Sequence, residues 1–204
     1  MAPTVRMPRR ERRAQLLGIA TEVFRARGYQ GTSMDDIAAA AGVTKPVLYQ
    51  HFTSKETLYT EVIDVLGASL LEVARSLRDV PGPPQARVEE GLRRFTEMVE
   101  VENTLRLFTG RGDVSEEIEQ QVAGLLDALA LEVAGVLIAY RDVTPAHARV
   151  IGRTMIAIAQ STARLAHEAG DEASREDLLR TTTALVVDGL TGFALREDAP
   201  APAE

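Results

Sequence analysis

Apolar residues recur every three or four positions along nearly the whole chain, the spacing that places them on one face of an α-helix. No strand-like alternation of convincing length interrupts this pattern. Glycines punctuate its first part, because Gly28 follows a helix predicted from Arg9 to Arg27, and Gly42 follows one predicted over 33–41. The pattern therefore predicts an all-α protein of about nine helices.

Polar residues mark where the next helices begin. Ser33 followed by Asp36 is a capping-box-like pair at the start of the second helix. Thr44 is a candidate N-cap for a short third helix with Pro46 in its first turn, predicted to run to about residue 52. Ser54 is predicted to cap a fourth helix that reaches about residue 78.

Five further helices are predicted beyond a Pro/Gly-rich turn at 81–84. The first carries Val88, Leu92 and Phe95 on one face, and a short one carries Leu105 and Phe108. The predicted start signals of the three long helices that follow are Ser115, Thr144 and the pair Ser174 and Asp177. The Ala/Pro-rich tail at 198–204 is predicted to be disordered.

Charge is distributed unevenly along the chain, although the net value is only −7. Residues 1–55 carry a net +5 and the remainder a net −12. This basic N-terminal segment, followed by an acidic remainder, indicates that the segment binds a polyanion. The alternative is that it is a solvated basic tail without such a partner. The absence of cysteine excludes disulfides, thiolate zinc sites and a cysteine nucleophile. With no membrane-spanning run and no visible signal peptide, we expect a soluble, cytoplasmic protein.

The two short helices at 33–41 and 44–52, joined by a tight turn, form a helix-turn-helix pattern that the helix at 9–27 can complete with a shared core. Its second helix would enter the major groove of DNA. Lys45 can donate to guanine and Gln50 can pair with adenine, whereas Pro46 and Val47 offer apolar surface to a thymine methyl.

Phosphate contacts can be expected from residues around this helix. Tyr49, His51 and Lys55 carry groups that can reach phosphate oxygens. Thr32, Ser33 and the start of the second helix offer hydroxyl and N–H groups to an anion, and the N-cap Thr44 can do the same. The arginines that could reach the minor groove or flanking phosphates are Arg9, Arg10, Arg12 and Arg13.

The stretch from Gly28 to Ala38, the stretch from Ala41 to Phe52 and the segment Ser54 to Leu58 together resemble the TetR family of bacterial transcriptional regulators. The likeness covers about residues 9–60. The segment from Lys45 to Phe52 also resembles family members that regulate lipid metabolism and sense acyl-CoA-type ligands.

The resemblance implies an N-terminal three-helix DNA-binding domain at 9–55, continued by the fourth helix to about residue 78, and a larger helical effector-binding and dimerisation domain at 79–197. It implies a ligand-responsive homodimer, usually a repressor, on a near-palindromic operator. By position in the motif, the base-facing residues would be Lys45, Pro46, Val47, Tyr49 and Gln50. Those facing phosphates would be Thr32, Ser33, His51 and Lys55.

The C-terminal part carries two further expectations. The last two long helices are rich in small residues that allow close helix approach, and the resemblance places the dimer interface on them: Ala157, Ala159, Ala163, Ala166, Ala184, Gly189 and Gly192. The helices that enclose the effector cavity in this family carry the apolar residues Phe95, Met98, Leu105, Phe108, Leu129, Val133 and Met155. The expected effector is apolar or amphipathic, of the acyl-CoA or fatty acyl type, and Arg106 and Arg111 could bind an anionic head group.

Two other classes of function remain as alternatives. A helical enzyme is disfavoured, because the three histidines are dispersed and no nucleophile elbow, phosphate-binding loop or dinucleotide fingerprint occurs. No metal or other cofactor is expected. A small-molecule carrier or interaction module of the same fold that has lost DNA recognition is the second alternative, which the intact Lys45, Tyr49, His51 and Lys55 disfavour.

Overall fold

The structure is a computed structural model that describes residues 7–100, 114–138 and 142–192. Within these residues the chain forms eight α-helices, one 3-10 turn and no β-strand, which confirms the all-α prediction. The short helix predicted around Leu105 and Phe108 lies outside the described residues. The helices are α1 (Arg9–Arg27), α2 (Met34–Ala40), α3 (Lys45–Tyr49), α4 (Lys55–Ser76), α5 (Pro84–Glu100), α6 (Glu116–Leu137), α7 (Pro145–Glu168) and α8 (Glu172–Leu190).

Contacts divide the described chain into two compact units. The first comprises 7–66 and 114–121, and the second comprises 67–100, 122–138 and 142–192. The divisions therefore fall inside α4 and α6. The domain bounds predicted from the sequence stay predictions.

The first unit is built on an apolar core in which α2 packs against both α1 and α3. The side chains predicted to be buried together in this unit, Met34, Ile37, Leu48 and Phe52, are each at most 6% exposed. Burial of each such side chain contributes roughly 1.5–3 kcal/mol to the free energy of folding. This contribution offsets the marginal stability of helices as short as α2 and α3.

Local signals set the helix ends of this unit. Ser33 forms the predicted capping box, since its hydroxyl accepts from the Asp36 N–H at 3.1 Å while the Asp36 carboxylate accepts from the Ser33 N–H at 2.9 Å. Gly28 and Gly42 lie at φ 71° and 63°, left-handed conformations that favour glycine beyond a helix end. One end was predicted wrongly: α3 stops at Tyr49 rather than near residue 52, because the His51 N–H donates to the Leu48 carbonyl only three residues back, at 3.0 Å, which interrupts the α-helical pattern.

The second unit is organised around α5, α7 and α8, which pack against one another. Their shared core contains Val88 and Leu92 from α5, Ile151 from α7, and Val186 and Leu190 from α8.

The caps of α7 and α8 were predicted with unequal success. Thr144 caps α7 as expected and accepts a hydrogen bond from the His147 N–H. The helix α8 begins at Glu172, with Asp171 as its N-cap, instead of at the predicted pair Ser174 and Asp177. The reason is that the Asp171 carboxylate accepts from the Ser174 N–H at 2.9 Å, which extends the helix toward its N-terminus.

Candidate nucleic-acid interface

The turn between α2 and α3 places the third helix with one face in the core and the other at the surface. Gly42 supplies the left-handed turn, and the Val43 N–H donates to the Ala38 carbonyl at 3.0 Å. Leu48 is fully buried and fixes the inner face of α3. The outer face presents Lys45, Pro46, Tyr49 and Gln50 to solvent, while Val47 is half-buried.

Tyr49 is the exposed aromatic residue of this face, with 44% of its surface accessible. A tyrosine that is exposed to this extent offers a ligand an apolar ring with a polar hydroxyl. Four of the five residues predicted to face bases thus lie exposed on one short helix, and the fifth lies partly exposed beside them.

Lys45 is held in place by a carboxylate of the preceding helix. Its Nζ donates to Oδ2 of Asp35 at 2.7 Å, and both side chains are largely exposed. This hydrogen bond, followed by the charge of Asp35, raises the pKa of Lys45. An exposed ion pair of this kind adds little to the stability of the fold. Its main effect is to fix the position of the Lys45 ammonium group.

Arginines of α1 contact the end of α3 and the residues beyond it. Arg9 donates to the Gln50 carbonyl at 3.1 Å, and the Arg13 guanidinium lies 4.7 Å from the centre of the Phe52 ring. Arg13 also pairs with Glu61 at 2.6 Å. Arg9 and Arg10 are exposed, which leaves positive charge at this surface.

His51 lies half-buried beside this arginine cluster. Burial, followed by the positive charges of Arg9, Arg13 and Arg12, lowers the pKa of His51. Its Nδ1 has no hydrogen-bond partner among the residues that the structure describes. Both effects favour the neutral imidazole in the free protein.

The residues predicted to contact phosphates differ in their solvent exposure and in the hydrogen bonds that they already make. Thr44 is exposed, and its side chain makes no capping hydrogen bond within the described part of the chain. Ser33 is exposed but occupied in its capping box. Thr32 is only 2% exposed, and its hydroxyl donates to the Gly28 carbonyl at 2.7 Å. Lys55 is half-buried.

Lys55 joins two parts of the loop that precedes α2. Its Nζ donates to the carbonyls of Tyr29 at 3.0 Å and Thr32 at 3.1 Å, and lies 4.1 Å from the Tyr29 ring centre. Thr32 and Lys55 thus hold the loop in its conformation, and their roles toward phosphate stay predictions.

The residues predicted for the effector pocket are not all brought together by the described contacts. Leu129 is buried, and Phe95, Met98, Val133 and Met155 are half-buried. Of these, Met155 packs against the shared core of α5, α7 and α8. The remaining two, Leu105 and Phe108, lie outside the described residues, as do Arg106 and Arg111.

Sequence reasoning missed Asp35 as the partner of Lys45. The two residues are ten positions apart on different helices, so no helical spacing links them. The sequence shows only that an acid lies in the first turn of α2 and a base in the first turn of α3. The geometry of the turn between these helices is needed to recognise that the two side chains form an ion pair.

The described chain was predicted to have neither a metal site nor a membrane-spanning helix. Residues 7–100, 114–138 and 142–192 hold no group of three or more His, Cys, Asp or Glu side chains that could bind a metal ion. None of the described helices has the length and hydropathy needed to cross a bilayer.

A short helix that packs on the helix before it across a tight turn, with a polar and aromatic outer face beside an arginine cluster, is the helix-turn-helix arrangement of DNA-binding proteins. The family model described as "Bacterial regulatory proteins, tetR family" matches residues 16–62. The HTH-type transcriptional activator FasR of Mycolicibacterium smegmatis is 35% identical over 161 residues, which span 78% of this chain and 74% of FasR. The chain therefore belongs to the TetR family of bacterial regulatory proteins.

Two further relatives show the extent of the similarity. The HTH-type transcriptional repressor KstR2 of Rhodococcus jostii is 46% identical over 52 residues, 26% of each chain. The fold matches the crystal structure of a TetR-family transcriptional regulator from Streptomyces coelicolor with a TM-score of 0.74 at 21% identity, covering 89% of this chain and 97% of that one. The relatives are transcriptional regulators and not enzymes, and this chain is an HTH-type transcriptional regulator.

Proposed function

We propose that the protein is a ligand-responsive, dimeric regulator that inserts α3 into the major groove of a near-palindromic operator. The observation that carries this proposal is the outer face of α3, where Lys45, Tyr49 and Gln50 are exposed while Leu48 anchors the inner face. Lys45 and Gln50 supply hydrogen bonds to base edges, and Pro46 and Val47 supply apolar contact.

The backbone of the operator is contacted by residues around α3. Thr44 offers an exposed hydroxyl at the start of the helix, and His51 lies beyond its end beside the arginine cluster. Ser33 and Lys55 contact phosphate only if they exchange the hydrogen bonds that they make in the free protein. Thr32 is buried, so its proposed role is to hold the loop that carries these phosphate contacts. Contacts of this kind fix the register of the protein on DNA without specifying sequence.

Dimerisation through α7 and α8 is supported by the apolar side chains that they leave in solvent. Val150 and Leu165 on α7 are 65% and 46% exposed, and Leu185 on α8 is 66% exposed. Ala157 and Ala184 are exposed on the same two helices and allow close approach of a partner. A four-helix bundle with a second copy covers such surfaces, and it pairs two α3 helices for two half-sites.

The effector is proposed to bind in the second unit, around Leu129, Val133 and Met155 with Phe95 and Met98. Half-buried Met and Phe side chains suit an adaptable apolar site, and an amphipathic molecule of the acyl-CoA or fatty acyl type fits it. We propose further that effector binding releases the operator or modulates DNA binding, and that the protein is a repressor. Its proposed location is the bacterial cytoplasm, on the nucleoid when it is bound to its operator. The printed names of the relatives include both an activator and a repressor.

Selection of bound duplexes from a random DNA pool tests this proposal. The expected product is an inverted repeat whose half-site centres lie about 10 base pairs, roughly 34–36 Å, apart. Affinity for the enriched duplex should fall steeply as salt rises. A pool without any enriched sequence, together with weak and uniform binding, would favour the alternative of a carrier or interaction module that has lost DNA recognition.

A further inference from the structure

Among the described residues of the second unit, the buried polar side chains are all threonines. Thr96, Thr162, Thr182 and Thr183 are each at most 8% exposed, and no charged side chain is buried in the described part of the chain. The hydroxyl of Thr162 donates to the Ile158 carbonyl at 2.9 Å and lies 3.4 Å from the Thr182 hydroxyl. The hydroxyls of Thr162 and Thr182 therefore have hydrogen-bond partners within the fold.

The hydroxyls of Thr96 and Thr183 are different. Neither has a hydrogen-bond partner within 7–100, 114–138 and 142–192, although Thr96 is only 5% exposed and Thr183 only 2%. A buried donor without a partner lowers stability, and native proteins contain few of them. Each of these hydroxyls is therefore available to a hydrogen-bond partner that the described chain does not supply.

Both threonines border the apolar core of the second unit. Thr96 follows Leu92 by one turn of α5, and Thr183 precedes Val186 by nearly one turn of α8. Leu92 and Val186 belong to one buried cluster, against which Met155 also packs. Residues three or four apart share a helix face, so both hydroxyls extend the face that forms this core.

We propose that the hydroxyls of Thr96 and Thr183 each offer a hydrogen bond to neutral oxygen of the effector, which is an apolar molecule ending in an ester, thioester, ketone or alcohol, and not an ionised acid. A hydroxyl donates to a carbonyl oxygen and exchanges hydrogen bonds with an alcohol. An ionised carboxylate would lose its hydration in this core, and the described residues bury no cation there that would offset the cost. The inference rests on the proposed binding of an effector to the second unit.

The test compares probes of one chain length that differ in their head groups. Isothermal titration calorimetry of the full chain at pH 7 measures binding of 1-octanol, methyl octanoate, octanoate and octane. We expect the two neutral oxygen-bearing probes to bind the wild type at least about tenfold more tightly than octanoate or octane, the ratio that about 1.4 kcal/mol provides. Absence of binding by both neutral probes, or tighter binding of octanoate, would overturn the proposal.

Variants then assign the preference to the hydroxyls. Thr96→Val and Thr183→Val remove each hydroxyl at nearly constant volume, and either one should reduce the preference for neutral oxygen about tenfold, whereas Thr96→Ser and Thr183→Ser should retain it. Thr162→Val is the matched control, because its hydroxyl already has partners, and should leave the preference unchanged. If neither valine variant alters the preference, bound water rather than the effector satisfies these hydroxyls, and the proposal fails.

These titrations contain no DNA, and the selection described above contains no probe. A failure of head-group discrimination with an enriched operator refutes the hydroxyl site alone. A failure to enrich an operator with intact discrimination refutes DNA recognition alone.

Discussion

The Nζ atom of Lys45 lies 2.7 Å from Oδ2 of Asp35, so the first turn of α3 is joined to the first turn of α2 by an ion pair. Both side chains are largely exposed, and the pair lies on the surface proposed to face DNA. Asp35 restricts the positions available to the ammonium group, and its own negative charge repels phosphate. In the proposed complex, the pair would therefore favour the base contact of Lys45 over a general attraction to the DNA backbone.

Replacing Asp35 should shift this balance toward non-specific binding. We expect Asp35→Asn to raise affinity for random-sequence duplex about two- to fivefold, the effect of roughly 0.5–1 kcal/mol that one exposed charge exerts in water. Fluorescence anisotropy on random and enriched duplexes measures both affinities. Asp127→Asn is the matched control, since Asp127 pairs with Arg153 in the second unit. An unchanged ratio of specific to non-specific affinity in Asp35→Asn would contradict the assigned role.

Lys55 should matter for stability as well as for DNA. Lys55→Ala removes two hydrogen bonds to backbone carbonyls and the contact with the Tyr29 ring, so we expect thermal unfolding at a lower temperature. The loss should be about 1–3 kcal/mol, which circular dichroism resolves. Lys45→Ala, which breaks only an exposed pair, should leave the unfolding temperature almost unchanged. Equal unfolding temperatures for the two variants would show that Lys55 does not hold this loop.

Operator affinity should depend on the protonation of His51. Burial and Arg9, Arg13 and Arg12 lower the pKa of His51 in the free protein, and a phosphate beside this cluster would raise it again. DNA binding then takes up a proton, so affinity should increase as pH falls from 7 toward 6, up to about tenfold for each unit by which the pKa rises. In His51→Gln this dependence should disappear, whereas His147→Gln should keep it.

Lower pH should decrease the stability of the folded protein through His51, although it should increase operator affinity through the same residue. Because the folded pKa of His51 is lowered, its contribution to stability is present above the unfolded pKa near 6.5 and is lost as pH falls below it. Unfolding curves at each pH therefore accompany the affinity measurements. A pH dependence of binding that is identical in wild type and His51→Gln would remove His51 from the interface.

Gly152 permits a close approach of α7 to α6 within the second unit. A Cβ atom there would overlap the Ala130 carbonyl oxygen and lie 2.6 Å from its carbon, and both are backbone atoms. We expect Gly152→Ala to destabilise the protein by about 1–3 kcal/mol, measured by denaturant unfolding.

Gly124→Ala provides the control on α6, because no described atom outside its own helix lies within 4 Å of the added Cβ. It should stabilise the chain by about 0.5–1 kcal/mol, since alanine is the better helix former. If Gly152→Ala is as stable as Gly124→Ala, the two helices can separate at no cost, and the tight crossing is not needed for the fold.

The parts of the fold that depend on nearby residues could be predicted from the sequence. The bounds of α1, the capping box of Ser33 and the N-cap Thr144 follow from local hydrogen-bonding chemistry and helical spacing. The burial of Leu48 and Phe52 follows from apolar periodicity. The exposed face of α3 could be predicted for the same reason, because it is the complement of the buried one.

What could not be predicted depends on residues far apart in sequence or on competition between similar signals. Asp171 and Ser174 both suit an N-cap, and only the observed hydrogen bond between them decides that α8 starts earlier. The partner of Lys45 lies on another helix. Thr96 and Thr183 resemble ordinary helical threonines in the sequence, and only the packed core shows that their hydroxyls are buried.

The central claim is that the outer face of α3 recognises DNA sequence, and the double variant Lys45→Ala/Tyr49→Ala tests it most directly. Its affinity for the enriched duplex and for random duplex is measured by anisotropy at several salt concentrations, beside the wild type and the control Arg153→Ala. We predict that the double variant loses about 1–3 kcal/mol or more of specific binding, keeps weak salt-sensitive binding to random DNA, and elutes from gel filtration like the wild type. Undiminished preference for the enriched duplex would show that another surface recognises the operator.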